Sequence, residues 1–318
     1  MSYPEYPRQD PYGRPYPGRP DAWGLAQPGP IPLRPLGVGE ILGVAVTVVR
    51  RCLGPLLLAA LIVGMLSAAA TVGVLAAAGT LTAYAEATWL EDVLRGGTSV
   101  PASIVVSALA GLLVSVAGAQ VVAGVATVYA GALAQGRDGR GEVAARLRGR
   151  WPALLTVSVL VGALVSIGLM LLIAPGVLAY LVLALAASVV AMERSGVGDS
   201  LRRSAALSRG HRGRIFGALA LALLIGTVGG AVVTTVLSPL FGQHDPVTTL
   251  LITQGVGAVV GAFTGAWTGA VVALLYIDVR IRTERLDYAL RLAADLDRQR
   301  KSGPAGPDGL TPPPPPAG

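Results

Sequence analysis

Charge is scarce in this chain. Only 14% of its 318 residues are Asp, Glu, Lys or Arg, against 53% that are hydrophobic, where a soluble domain carries about 25% charged residues. A deficit of that size excludes an ordinary soluble enzyme and points to lipid as the solvent. Cysteine is nearly absent too. Cys52 stands alone, so there is no intrachain disulfide framework. Beside Arg50 and Arg51 it reads as a small apolar residue at the membrane edge, with lipidation as the alternative. Two histidines, His211 and His244, fall in segments predicted to lie on opposite faces of the membrane. They share neither a metal nor a catalytic dyad, and no Cys/His cluster of zinc spacing exists. Nor does a Walker or dinucleotide fingerprint occur. Asp199, Ser200 and His211 share one segment, but a triad is defined by geometry and not by such proximity. No apolar signal-peptide core occurs in the first 35 residues, so the N-terminus is expected to be retained.

What is abundant is uncharged apolar sequence. A bilayer core of about 30 Å needs about 20 helical residues. Six such spans are predicted, at about 53–79, 101–126, 152–174, 176–192, 215–240 and 250–277. The third and fourth come from one charge-free run, Pro152 to Met192, divided at Pro175-Gly176 as a hairpin tip. The expected fold class is all-α: a six-span membrane domain over 36–279, built as three hairpins. Residues 1–35, rich in Pro and Tyr, read as a disordered tail, as does the Pro-rich 302–318. Residues 280–301 read as an amphipathic helix, with Leu286, Leu290 and Leu296 on one face.

The basic residues orient this domain. With both termini in the cytoplasm, 24 of the 25 Lys and Arg residues fall on the cytoplasmic side, and only Arg95 falls outside. A plasma-membrane protein with cytoplasmic N- and C-termini is expected. The net charge of +7 is thereby explained by topology, and no nucleic-acid partner is implied.

Three basic segments begin alike: Gly39-Glu40-Ile41-Leu42, Gly141-Glu142-Val143 and Gly198-Asp199-Ser200-Leu201. Each ends in arginines that enter a span. Acidic starts and basic ends suit the helix dipole. Each hairpin is therefore expected to follow an interfacial amphipathic helix on the cytoplasmic side.

The chain resembles the membrane domain of the glycerophosphoryl diester phosphodiesterase family, in its stand-alone actinobacterial form. The resemblance rests on Ile31-Pro32-Leu33-Arg34-Pro35-Leu36-Gly37-Val38-Gly39-Glu40-Ile41-Leu42. It rests also on Glu193, Gly196 and Ser200-Leu201-Arg202-Arg203-Ser204 with Leu207-Ser208-Arg209-Gly210, and on Leu274-Leu275-Tyr276-Ile277-Asp278-Val279-Arg280-Ile281-Arg282. It implies a membrane domain whose catalytic relatives carry an attached barrel of about 250 residues. The longest non-membrane segment here is the N-terminal one, residues 1–52, so phosphodiesterase activity is not expected to come with the resemblance.

The remaining candidates are few. Gly257, Gly261, Gly265 and Gly269 recur every four residues along the sixth span. Such a ridge suits close helix packing within the bundle, with homo-oligomerisation as the alternative. Gln120 and Gln254 are the amides within spans. They are expected to make interhelical hydrogen bonds or, alternatively, to line a solute path. Asp278 is expected to pair locally with Arg280 and Arg282. Arg202, Arg203, Arg209, Arg212 and Arg214 are candidate contacts for anionic headgroups. Catalytic, cofactor and metal sites are all unassigned. The expected function is a non-catalytic membrane module, not an enzyme, that organises lipids or a protein partner. The alternative is a small-solute transporter or permease without evident ion coupling.

Overall fold

The computed structural model describes residues 29–96, 100–137, 139, 141–193, 195–241 and 244–284. These residues form helices and no strands: α1 (Val38–Arg51), α2 (Leu53–Ala77), α3 (Leu81–Ala85), α4 (Thr88–Leu94), α5 (Ala102–Ala134), α6 (Glu142–Leu147), α7 (Trp151–Leu171), α8 (Ile173–Leu183), α9 (Ala186–Glu193), α10 (Val197–Ser208), α11 (Arg212–Leu237) and α12 (Pro246–Glu284). Six units are long and apolar enough to cross a membrane: α2, α5, α7, α8 with α9, α11 and α12. The chain is a multi-pass membrane protein.

Their composition explains why these runs form helices. Leu, Ala and Val dominate, and a backbone in lipid must satisfy its own hydrogen bonds. α5 and α12 are the longest, at 33 and 39 residues, or roughly 50 and 58 Å at 1.5 Å per residue. Both run past the predicted ends at 126 and 277. Their second halves are sheathed in protein: residues 122–134 and 268–279 are buried without interruption. Those halves make the core of the bundle, α5 packing on α2, α7, α9 and α12. α2, by contrast, buries only Leu56, Ala60 and Leu75.

The turn between the third and fourth spans differs from the Pro175-Gly176 tip. Leu172 breaks the helix, with extended backbone at φ −164°, ψ 143°, and α8 has begun before Pro175 is reached. Proline is tolerated there because the first helical N–H groups have no intrahelical acceptor. Gly176 serves a different purpose. It lets α8 approach α7 so closely that a Cβ on Gly168 would lie 2.8 Å from the Gly176 Cα. The fourth span is also interrupted by a turn at Ala184–Leu185.

Residues 29–35, expected to belong to the disordered tail, are packed. Residues 29–36 lie against the bundle, and Ile31, Leu33 and Leu36 are buried at 0%, 1% and 3% exposure. Proline-rich composition suggests an unpacked chain, yet Ile31 and Leu33, each between two prolines, and Leu36, which follows Pro35, join the buried core. The predicted tail over 1–28, the helix beyond Glu284 to residue 301, and the tail over 302–318 lie outside the described residues.

α1, α6 and α10 each precede a span. α1 turns Ile41, Leu42, Ala45 and Val48 inward onto α12 and α11, and the Trp267 indole N–H donates to the Leu42 carbonyl at 3.4 Å. α6 is only six residues long. These helices gather at one end of the bundle, its basic end.

Candidate functional site

At the basic end the sixth span carries Asp278, whose side chain is fully buried. It is not a simple pair with its neighbours in sequence. Oδ1 accepts the Leu36 N–H at 2.8 Å. Oδ2 accepts Arg214 Nε at 2.9 Å and Arg282 Nε at 3.0 Å. Arg282 also donates to the Leu36 carbonyl at 3.2 Å. One carboxylate thus joins the N-terminal segment, the start of α11 and the end of α12. Arg282 is the expected partner four residues on. Arg280 faces another way, to Glu193 and Glu284.

A second cluster sits beside it. The hydroxyl of Tyr276, itself 0% exposed, donates to Glu193 Oε1 at 2.9 Å and accepts from Arg280 at 3.0 Å. Arg203 Nε reaches Glu193 Oε2 at 3.0 Å, and its other end pairs with Glu284. Two carboxylates and two guanidiniums close this network, so α9, α10 and α12 are joined with no net charge.

The five candidate arginines therefore separate into two groups. Arg203 and Arg214 engage carboxylates inside the bundle. Arg202, Arg209 and Arg212 are exposed and make no ion pair among the described residues. Glu193 and Tyr276 were not singled out as site residues by sequence reasoning. Glu193 had a signal, as the first charge after a long apolar run; a tyrosine hydroxyl buried on its carboxylate had none.

Comparison with family models, curated proteins and solved structures returns no match.

In the apolar half of the bundle the glycine ridge does two things. Gly269 packs tightly on α5, where a Cβ would lie 2.8 Å from Val122 Cγ1. Gly265 sits at ordinary distance from Ala60. Gly257 and Gly261 have open space where a Cβ would go, and they line a half-open crevice of about 310 Å³ between α2, α5 and α12. The expected continuous packing ridge is thus half seam and half opening. Glycine removes volume, and no large neighbour fills it.

The crevice is polar only at Ser67, Ser115 and Gln254. Ser67 Oγ donates to the Gly111 carbonyl at 2.9 Å and lies 3.0 Å from Ser115 Oγ. Gln120 does not line this space. It is buried at 2% exposure, and its Oε1 has no hydrogen-bond partner among the described residues. The two amides are therefore not brought together, and the Gln120 carbonyl makes no interhelical hydrogen bond.

The remaining candidates are local. Ser200 Oγ bonds to Ser195 Oγ and the Gly196 carbonyl, both at 2.7 Å, whereas His211 Nδ1 lies by the Arg209 carbonyl. The Asp199, Ser200 and His211 trio is not assembled. Cys52 is buried, and burial pushes its thiol up from the ordinary value. Among the described residues, no group of three or more His, Cys, Asp or Glu is placed to hold a metal.

Proposed function

We propose that this protein is a non-catalytic integral membrane module that gathers anionic lipids at the cytoplasmic face of the plasma membrane, with both termini on that side. The observation that carries the reading is the division among the arginines. Arg203 and Arg214 engage carboxylates of the bundle, Arg214 through Nε alone with its buried Nη2 unpartnered among the described residues, while Arg202, Arg209 and Arg212 stand exposed without a carboxylate. An unpaired guanidinium at a membrane boundary can bind phosphate oxygens, at about 1 kcal/mol per basic residue near an anionic surface. The partition of Lys and Arg supports the orientation, and α1, α6 and α10 supply helices suited to lie along the interface. The resemblance to a family of phosphodiesterase membrane domains supports the same reading. A protein partner for the same face, or a second copy meeting Gly257 and Gly261 at the crevice mouth, is compatible with it.

The test is lipid enrichment around the purified protein. Protein in nanodiscs of mixed phosphatidylglycerol and phosphatidylcholine should retain phosphatidylglycerol on detergent extraction, read by mass spectrometry. Replacing Arg202, Arg209 and Arg212 together with Ala should remove most of that preference and leave the fold intact. Equal retention by the two proteins would defeat the proposal.

The crevice favours a second reading, a passive path for a small uncharged solute. Its hydroxyls and the Gln254 amide are neutral, as such a path needs. Gly261→Leu would fill the space, so solute flux into proteoliposomes should fall with this variant. Flux indistinguishable from protein-free vesicles before the substitution would dispose of this reading.

A further inference from the structure

The N-terminal segment is placed across a seam that matters elsewhere in the bundle. Gly29 lies so close to the Leu133 carbonyl and the Gly136 N–H, at the basic end of α5, that a side chain there could not fit. Seven residues later, the main chain of Leu36 is gripped on both sides by α12. Its N–H goes to Asp278 and its carbonyl to Arg282. Between these anchors Ile31 and Leu33 are fully buried. The segment therefore bridges the basic ends of α5 and α12.

The same two helices part toward the other end. They meet at Gly269 against Val122 and Ala123. Beyond that point Ser115 and Ala119 on α5 face Gly257 and Gly261 on α12 across the crevice, which α2 lines along with them. The seam is thus tied at one end and open at the other, with its tight contact between.

We propose that residues 29–36 form a clasp that holds α5 and α12 together at the basic end, and that its release lets the seam open there. Asp278 is the catch. Its Oδ1 takes the strap N–H, and Arg214 holds its Oδ2 from α11. Leu36 is an apt point to grip, because α1 begins at Val38 and continues through Cys52 into α2. The clasp stands whether or not the arginines bind lipid.

Two measurements on the full chain in vesicles test it, with Cys52→Ala as background. The first is the maleimide reaction rate of Leu33→Cys, referenced to Ala144→Cys at an exposed site on α6. The seated strap should slow Leu33→Cys by about 100-fold or more, and adding Asp278→Asn should return it to within about 10-fold of the reference, as expected of local opening. Equal rates for Leu33→Cys with and without Asp278→Asn would overturn the catch. The second uses spin labels at Gln135 and Thr283, on the ends of α5 and α12. Ile31→Asp, which puts a charge at a fully buried position, should eject the strap without altering a residue of any spanning helix, so it stays informative even if Asp278 variants fail to fold. The distance between the labels should widen by several Å, while a pair at Ser103 and Thr249 keeps its distance or draws closer. An unchanged distance at the basic end would overturn the clasp.

Discussion

Gly269 and Gly261 lie eight residues apart on one helix face, and the structure gives them opposite tolerances for a single methyl group. A Cβ at 269 would lie 2.8 Å from Val122 Cγ1 and 3.4 Å from the Ala123 nitrogen, whereas one at 261 would meet nothing within 4 Å. Valine is stiff about χ1, and the Ala123 nitrogen belongs to α5 itself, so little can yield. Overpacking of this kind costs about 1–3 kcal/mol. Replacing glycine with alanine also raises helix propensity, by up to about 1 kcal/mol in water. That gain is common to both sites and cancels in the comparison. Gly269→Ala should therefore be less stable than Gly261→Ala by about 1–3 kcal/mol, the overpacking contribution alone. Reversible SDS unfolding of the detergent-purified protein, followed by tryptophan fluorescence, measures the difference. A gap under about 0.5 kcal/mol, within the additivity error for separate sites, would refute the division of the ridge into seam and opening. So would the opposite order.

Two further outcomes can be checked by similar means. Tyr276→Phe removes the hydroxyl that joins Glu193 to Arg280 and leaves those two groups 3.7 Å apart. It should lower unfolding stability by about 1–3 kcal/mol, the cost of depriving buried polar groups of a partner, and no loss would mean that the network is solvated. Arg34 and the Gly37 N–H hold the Glu40 carboxyl below its ordinary value of 4.5. A lowered folded pKa gives stability that is complete above the unfolded value and is lost as pH falls through the folded one. Exchange protection of the Gly37 amide should accordingly be constant above pH 4.5 and decline in more acid solution. Glu40→Gln should abolish that pH dependence, and a decline starting near neutrality would contradict the assigned contact.

The spans were legible because length and charge exclusion are local properties. Leu53–Ala77 and Arg212–Leu237 match runs that any window would find. The helix break at Leu172 was not legible. Leucine carries no turn signal, and the proline that does carry one sits inside the first turn of α8. The buried strap was hidden for a related reason: composition averaged over 35 residues drowns the three apolar side chains that pack. The Asp278–Arg282 pair follows from helical spacing, but Arg214 and Leu36 reach the same carboxylate from 64 and 242 residues away. No local pattern contains that information. Periodicity likewise placed four glycines on one face. It could not say which would meet a neighbour, because that depends on how far α5 diverges from α12.

The strap also sets an order on biosynthesis. Leu36 leaves the ribosome 242 residues ahead of the aspartate that receives its N–H. Domains are made from the N-terminus onward, so the Leu36 main chain has neither of its α12 partners while the first five spans are inserted. The seat exists only when α12 is finished. Docking of the strap is therefore a built-in sign of completion. A chain that ends before Asp278 lacks the carboxylate that takes the Leu36 N–H, so its strap has lost the catch that a finished chain supplies.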